Sequence, residues 1–112
     1  MRAINNKGTV LENRGKLVID TDDELFVYKI GEVNKISILT TRQLLLNSHV
    51  FLVLDVKNDV FLMTLGHDDF KDVIFKELPR LFEIDNTQVI DAMQNTGYDH
   101  EYILYSRGNR NV

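Results

Sequence analysis

The chain has no cysteine, which removes thiol catalysis, thiolate metal ligation and disulfide stapling together. That absence fits a reducing compartment, and cytoplasmic residence is the expectation. No window approaches roughly 18 consecutive apolar residues, so no helix from this sequence is expected to cross a bilayer. Residues 1 to 20, MRAINNKGTVLENRGKLVID, lack the apolar stretch of a secretory signal. Positive charge is scarce: 13 Lys and Arg stand against 17 Asp and Glu, giving a net charge of −4. Nonspecific nucleic-acid binding needs clustered basic residues to displace counterions, so neither a nucleic-acid nor a membrane partner is expected. Six glycines are scattered along the chain, which leaves no P-loop and no dinucleotide fingerprint. Ser37, Ser48 and Ser106 sit in no G-x-S-x-G setting.

What remains is 112 residues, 44% apolar and 27% charged, the composition of one globular domain. A chain of this length hides roughly 65% of its unfolded surface, enough for a core without metal or disulfide support. The expected unit is a single domain over 1–112, with 1–7 and 107–112 flexible.

TVLE (9 to 12) and KLVID (16 to 20) read as a hairpin around Gly15. ELFVYKIG (24 to 31) reads as a strand with Phe26, Tyr28 and Ile30 on one face, ended by Gly31. EVNKISILTT (32 to 41) alternates at period two, and RQLLLNS (42 to 48) reads as strand in preference to a helical turn. HVFLVLDV (49 to 56) is the most continuous apolar run, the mark of a central strand buried on both faces. KND turns the chain, with Asn58 suited to a left-handed position, into its hairpin partner VFLMTL (60 to 65). After Gly66, Phe70, Val73, Ile74, Leu78, Leu81 and Phe82 recur at three and four residues, a helical stripe that Pro79 should stop or kink. Asp85 and Gln88 stand in capping-box spacing ahead of a second helix with Val89, Ile90 and Met93 as its stripe. HEYILYS (100 to 106) returns to β character. The expected fold is α+β: a mainly antiparallel sheet of about six strands, two helices in the C-terminal half packed on one face, and a final strand at an edge.

Two clusters invite a chemical reading. His67, Asp68 and Asp69 fall where a strand gives way to a helix, where an aspartate accepts the first free backbone N–H groups. Zinc sites on helices place histidines at i and i+4 around a glutamate, and no such pair exists here. Asp99, His100 and Glu101 lie on a strand, so neighbours point to opposite faces and cannot converge unaided. An enzyme would use His67 or His100 as general base with Asp68, Asp69 or Asp99 in a shared cleft. DTDDEL (20 to 25) fails the calcium-loop pattern, because its sixth position is Leu25 and its twelfth Gly31. Asp20, Asp22, Asp23 and Glu24 instead form a candidate acidic face for a basic protein partner. No catalytic, cofactor-binding or metal residue is assigned.

EVNKISILTT, HVFLVLD, DVFLMTL and LPRLFEIDNTQVIDAMQNTGYDHEYILYSRG together resemble a small, uncharacterised family of bacterial α+β domains. The matching features are Thr40 and Thr41, Leu78 and Pro79, Asp85 and Asn86, Ala92 and Met93, Tyr102 and Tyr105, and Arg107. The resemblance covers about two-thirds of the chain and implies a self-contained module with no assigned site. RQLLLN lacks the glycine-proline that often follows the threonine pair there. A weaker likeness is to bacterial pleckstrin-homology-like domains, lipid or peptide binders whose phosphoinositide site wants a basic loop; NRGK (13 to 16) supplies little of one. Together these features point to a non-catalytic protein-binding module. Its most concrete form is a bacterial immunity-type protein neutralising a partner toxin, with self-association through a sheet edge also open.

Overall fold

The structure, a computed structural model, describes residues 1–108. Its α+β architecture holds eight strands, in two sheets rather than one. The smaller sheet is β2 (Thr9–Asn13), β3 (Lys16–Asp20) and β4 (Leu25–Tyr28), in that spatial order. Arg14 and Gly15 join β2 to β3 with φ of 54° and 79°, both left-handed, as a two-residue hairpin turn requires. β4 stops at Tyr28, short of the expected strand end, because Ile30–Glu32 winds into a 3-10 turn. Glu32 secures that turn by accepting the Lys29 N–H at 2.9 Å.

The larger sheet runs β1 (Arg2–Ala3), β7 (Asp59–Thr64), β6 (Ser48–Val56), β5 (Val33–Leu45) and β8 (His100–Ser106) across its width. Residues 42 to 45 continue β5 as strand, and β6 is the central strand, both as the sequence reads. Between β6 and β7 the positive φ falls on Lys57, at 43°, and not on Asn58. β8 pairs with β5 at one edge.

At the other edge lies a strand the sequence conceals. Arg2 and Ala3, within the expected flexible lead-in, pair in parallel with Phe61 and Leu62 of β7. Ile4 follows, its N–H on the Leu62 carbonyl at 2.8 Å and its side chain buried. The Arg2 guanidinium binds Asp59 and stands 4.9 Å from the centre of the Phe26 ring. At the far end Arg107 is also held, donating its N–H to the Asn34 carbonyl at 2.9 Å and its guanidinium to Asn34 Oδ1 and the Gly31 carbonyl. The rest of the expected flexible tail, 109–112, lies outside the described residues.

One face of the larger sheet is the core. Ile36, Ile38, Leu52, Leu54, Phe61 and Met63 are fully buried there. Alternate residues of paired strands share a face, and two covers close this one. Over β7 lies the smaller sheet, with Phe26 5.0 Å from Phe61 edge to face. Over the rest lie the helical segments. The first begins as α1 (Phe70–Asp72), loosens into a π turn over Val73–Glu77 and tightens into a 3-10 turn over Leu78–Arg80. Pro79 has no N–H to donate, so the regular ladder cannot continue through it. The Leu78 N–H instead reaches back to the Val73 carbonyl. The expected stripe survives this irregularity: Phe70, Val73, Ile74, Leu78 and Phe82 are buried and Leu81 is half-buried against the core.

α2 (Asn86–Gln94) is capped by Asp85, which accepts the N–H groups of Thr87 and Gln88 at 3.1 and 3.4 Å. Its buried residues are Val89 and Ala92, while Ile90 and Met93 from the expected stripe face solvent. The helix is rotated so that its smallest apolar residue, Ala92, lets it approach the sheet.

Among the glycines, Gly8 has the least room. A Cβ there would stand 2.1 Å from the Asp20 carbonyl oxygen, so an alanine must displace backbone. Gly8→Ala is expected to lower stability by about 1–3 kcal/mol, the usual range for overpacking a dense site. Urea unfolding of the two proteins measures the difference.

Candidate functional site

The two polar clusters have different structural tasks. His67 is 3% exposed. Its Nε2–H is shared between the Asn5 and Gly8 carbonyls, both at 3.0 Å. Its Nδ1 accepts the Asp69 N–H at 3.0 Å. The imidazole therefore ties the N-terminal segment to the β7–α1 corner and caps the helix itself. This corrects the expectation that Asp68 and Asp69 are the caps, since the Asp69 side chain makes no capping hydrogen bond. His100 is exposed on β8 with its ring 4.4 Å from that of Tyr102. Three strand spacings separate β7 from β8, about 14 Å at the usual strand separation. Asp99 accepts the Arg42 N–H at 2.6 Å, and Glu101 turns to the opposite face from His100. Among the described residues, no three His, Cys, Asp or Glu side chains gather closely enough to hold a metal ion.

The acidic segment at 20–24 is a tight turn. Asp20 accepts the Asp22 N–H at 2.9 Å, and Asp22 sits at φ 78°. Thr21 is buried, its hydroxyl accepting the Glu24 N–H at 3.1 Å. Glu24 lies 3.4 Å from the Arg2 guanidinium. Asp22 and Asp23 remain exposed, while Asp20 and Glu24 are engaged within the fold.

The larger unexplained feature is the outer face of the five-stranded sheet, which neither the helices nor the smaller sheet covers. Strand register stacks apolar residues on it. Leu39 lies opposite Phe51, Ser37 opposite Val53 and Val53 opposite Leu62. On the neighbouring strands, Val60 pairs with Asp55, and Ile103 with Ser37. Leu39, Val53, Val60 and Leu62 are half-buried and Ile103 is exposed. Of these residues, Phe51 and Val53 belong to the run at 49–56 that reads as buried on both faces; Phe51 is buried and Val53 half-buried.

The β5–β6 hairpin deepens this face into a groove. The pairing slips between Thr40 and Leu45, leaving extra residues on β5, and such a bulge bends the strand. Leu45 and Leu46 then join Leu39, Phe51, Val53, Val60 and Leu62 in lining a hollow of about 330 Å³, with Met1 and Glu101 at its margin. Leu46 is 63% exposed and held at φ 49°. A bulky residue in the left-handed region is strained, and turns of this type ordinarily take Asn or Gly there.

Two of the charges on this face pair with each other, while Asp55 accepts the Asn34 side-chain amide at 3.4 Å. Lys35 Nζ lies 2.9 Å from Glu101, whose carboxylate also accepts the Ser37 hydroxyl at 2.9 Å. The Lys35 contact, then Ser37, holds the Glu101 carboxyl below its usual range. Arg2 does the same for Asp59, and the Thr87 hydroxyl for Asp85. The apolar residues of this face escaped the sequence reading as a site because run length alone does not say which cover is missing. The usable signal was an excess of apolar strand faces over the helices available to cover them.

Two predictions follow from these contacts. Replacing His67 with leucine leaves the Asn5 and Gly8 carbonyls and the Asp69 N–H without partners. A buried group so orphaned costs about 1–3 kcal/mol, and chemical unfolding should register a loss in at least that range. The second concerns acid. Folded-state carboxyls with depressed values bind fewer protons than the unfolded chain, so the stability they add is complete above the ordinary carboxylate range and is lost as pH falls through their folded values. Thermal melts from about pH 6 to about pH 3 should show a falling melting temperature. Lys35→Met, which releases Glu101 from its main partner, should flatten part of that fall.

Set against protein-family models, curated proteins and solved structures, the chain matches none.

Proposed function

We propose that this protein is a non-catalytic binding module that works by protein–protein contact through the outer face of its five-stranded sheet. One observation supports the reading above the others: on the face opposite the core, Leu39, Phe51, Val53, Val60 and Leu62 form one apolar patch across three strands. An antiparallel sheet with a solvated face ordinarily carries polar residues on it. Here that face presents leucine, valine and isoleucine beside an exposed leucine hairpin. Contiguous apolar surface of this kind marks interaction sites in soluble proteins. The acidic turn at Asp20, Asp22, Asp23 and Glu24 supports docking less well, since two of its four carboxylates serve local contacts.

The His67 and His100 alternative draws no comparable support. His67 has both ring nitrogens on backbone partners, and no hydrogen bond joins either imidazole to Asp68, Asp69 or Asp99 side chains among the described residues.

A photo-reactive amino acid placed in living cells at Leu45 on the hairpin, and separately at Asp22 on the acidic turn, tests the proposal. Protein adducts at Leu45 and none at Asp22 are the expected result. Adducts at Asp22 alone would move the binding surface to the acidic turn. An adduct at Leu45 to a toxin-like neighbour would narrow the reading to an immunity-type role.

A further inference from the structure

We infer that the partner segment taken by the outer sheet face is a basic amphipathic helix, laid along the hollow with its apolar stripe inward and a lysine or arginine over Asp55. The inference rests on the reading of that face as a docking surface and names the chemistry of its occupant. Shape, polarity and charge each contribute.

The apolar patch is an oblique band. It runs from Val60 on β7 through Val53 on β6 to Leu39 on β5, and ends at the Leu45–Leu46 tip. Val60 and Leu39 stand two strand spacings apart across the sheet, and their partners on β6, Asp55 and Phe51, lie four residues apart along it. That is about 10 Å by about 13 Å, so the band is about 16 Å long before the hairpin adds to it. Three helical turns cover about 16 Å. Side chains recurring at three and four residues form a stripe of that length along one side of a helix.

The band offers nothing to a backbone. Of the residues lining the hollow only Glu101 is polar, and its carboxylate already holds Lys35 and the Ser37 hydroxyl, both at 2.9 Å. The strands beneath spend their main-chain groups on one another in the ladders. An extended segment laid across them would bury N–H and C=O groups with no partner. A helix arrives with those groups paired and presents only side chains.

Charge sets the sign of the occupant. Lys35 stands opposite Asp55 in the β5–β6 ladder, yet its Nζ goes to Glu101 on the other side. Asp55 is half-buried opposite Val60 and keeps only the Asn34 amide, at 3.4 Å, with no salt bridge among the described residues. One uncompensated negative charge therefore stands at the margin of the band, on a chain whose net charge is −4. A helix with a cation flanking its apolar stripe compensates it, and an acidic helix would set like charges together.

The test uses three labelled synthetic peptides of about 14 residues, long enough to span the band as a helix. One carries leucine at helical spacing and lysine elsewhere. The second replaces its lysines with glutamate. The third rearranges the residues of the first to alternate, the strand period. Each is titrated with the purified full chain at about 0.15 M salt and followed by fluorescence anisotropy. The first should bind with a dissociation constant of about 10–100 μM, and the other two at least tenfold more weakly. Leu45→Glu should weaken the first peptide at least tenfold, although it adds negative charge and would tighten a contact made by charge alone. Asp55→Asn, which keeps the size of the side chain, should weaken it about threefold, and Asp22→Asn should leave it unchanged. Circular dichroism checks that each variant folds. Equal binding of the alternating peptide overturns the inference. So does a loss on Asp22→Asn as large as that on Asp55→Asn, or no binding of the first peptide below about 1 mM. Adducts at Leu45 in cells alongside any of these results leave the docking reading standing without the helix. An absence of Leu45 adducts strikes the docking reading itself and takes the helix with it.

Discussion

The fold depends on one imbalance: β6 carries apolar residues on both sides, and the helices and the smaller sheet cover one. Ile36, Ile38, Leu52, Leu54, Phe61 and Met63 create a continuous inner layer with no exposed surface. Closing that layer consumes the smaller sheet, the irregular helical segment from Phe70 to Arg80, and α2. Nothing is left for Leu39, Val53, Val60 and Leu62. Burial of apolar area dominates the folding free energy, so the side that buries most is settled first. The other side inherits what the chain has spare, a bent hairpin and a salt bridge.

Much of this was legible in the residues. Period-two alternation located the β strands around Ile36 and Ile38, and the unbroken run at 49–56 identified the central strand. The switch to period three and four after Gly66 found the helical stripe, down to Phe82. These signals survive because each reflects burial of many residues on one face. Three features were hidden. β1 is two residues long and polar at Arg2, so it leaves no period to detect. The division into two sheets depends on where Phe26 and Tyr28 pack, which is a tertiary fact. The turn of α2 toward Ala92 instead of Ile90 reflects how closely the helix meets β8, and propensity is blind to that distance.

The polar clusters teach a related lesson. His67 beside two aspartates has the composition of a catalytic site, yet its partners are two main-chain carbonyls and one main-chain N–H. Buried backbone groups in irregular segments need partners as much as side chains do. The loop from Asn5 to Gly8 lies outside the strand ladders, and an imidazole with one donor and one acceptor nitrogen supplies what it lacks. Sequence adjacency of His67 to Asp68 and Asp69 said nothing of Asn5 and Gly8, about sixty positions away. In the acidic turn, likewise, Asp20 is occupied by the N–H of Asp22 two residues on.

The parallel pairing of Arg2 and Ala3 with Phe61 and Leu62 has a kinetic side. Strands β5, β6 and β7 are joined by short hairpins and can zip up locally. β1 must close a loop of slightly more than half the chain before it gains its few contacts, and loop closure of that length is slow. β1 is thus among the last strands to find its place, since it must wait for β7 to be in the sheet.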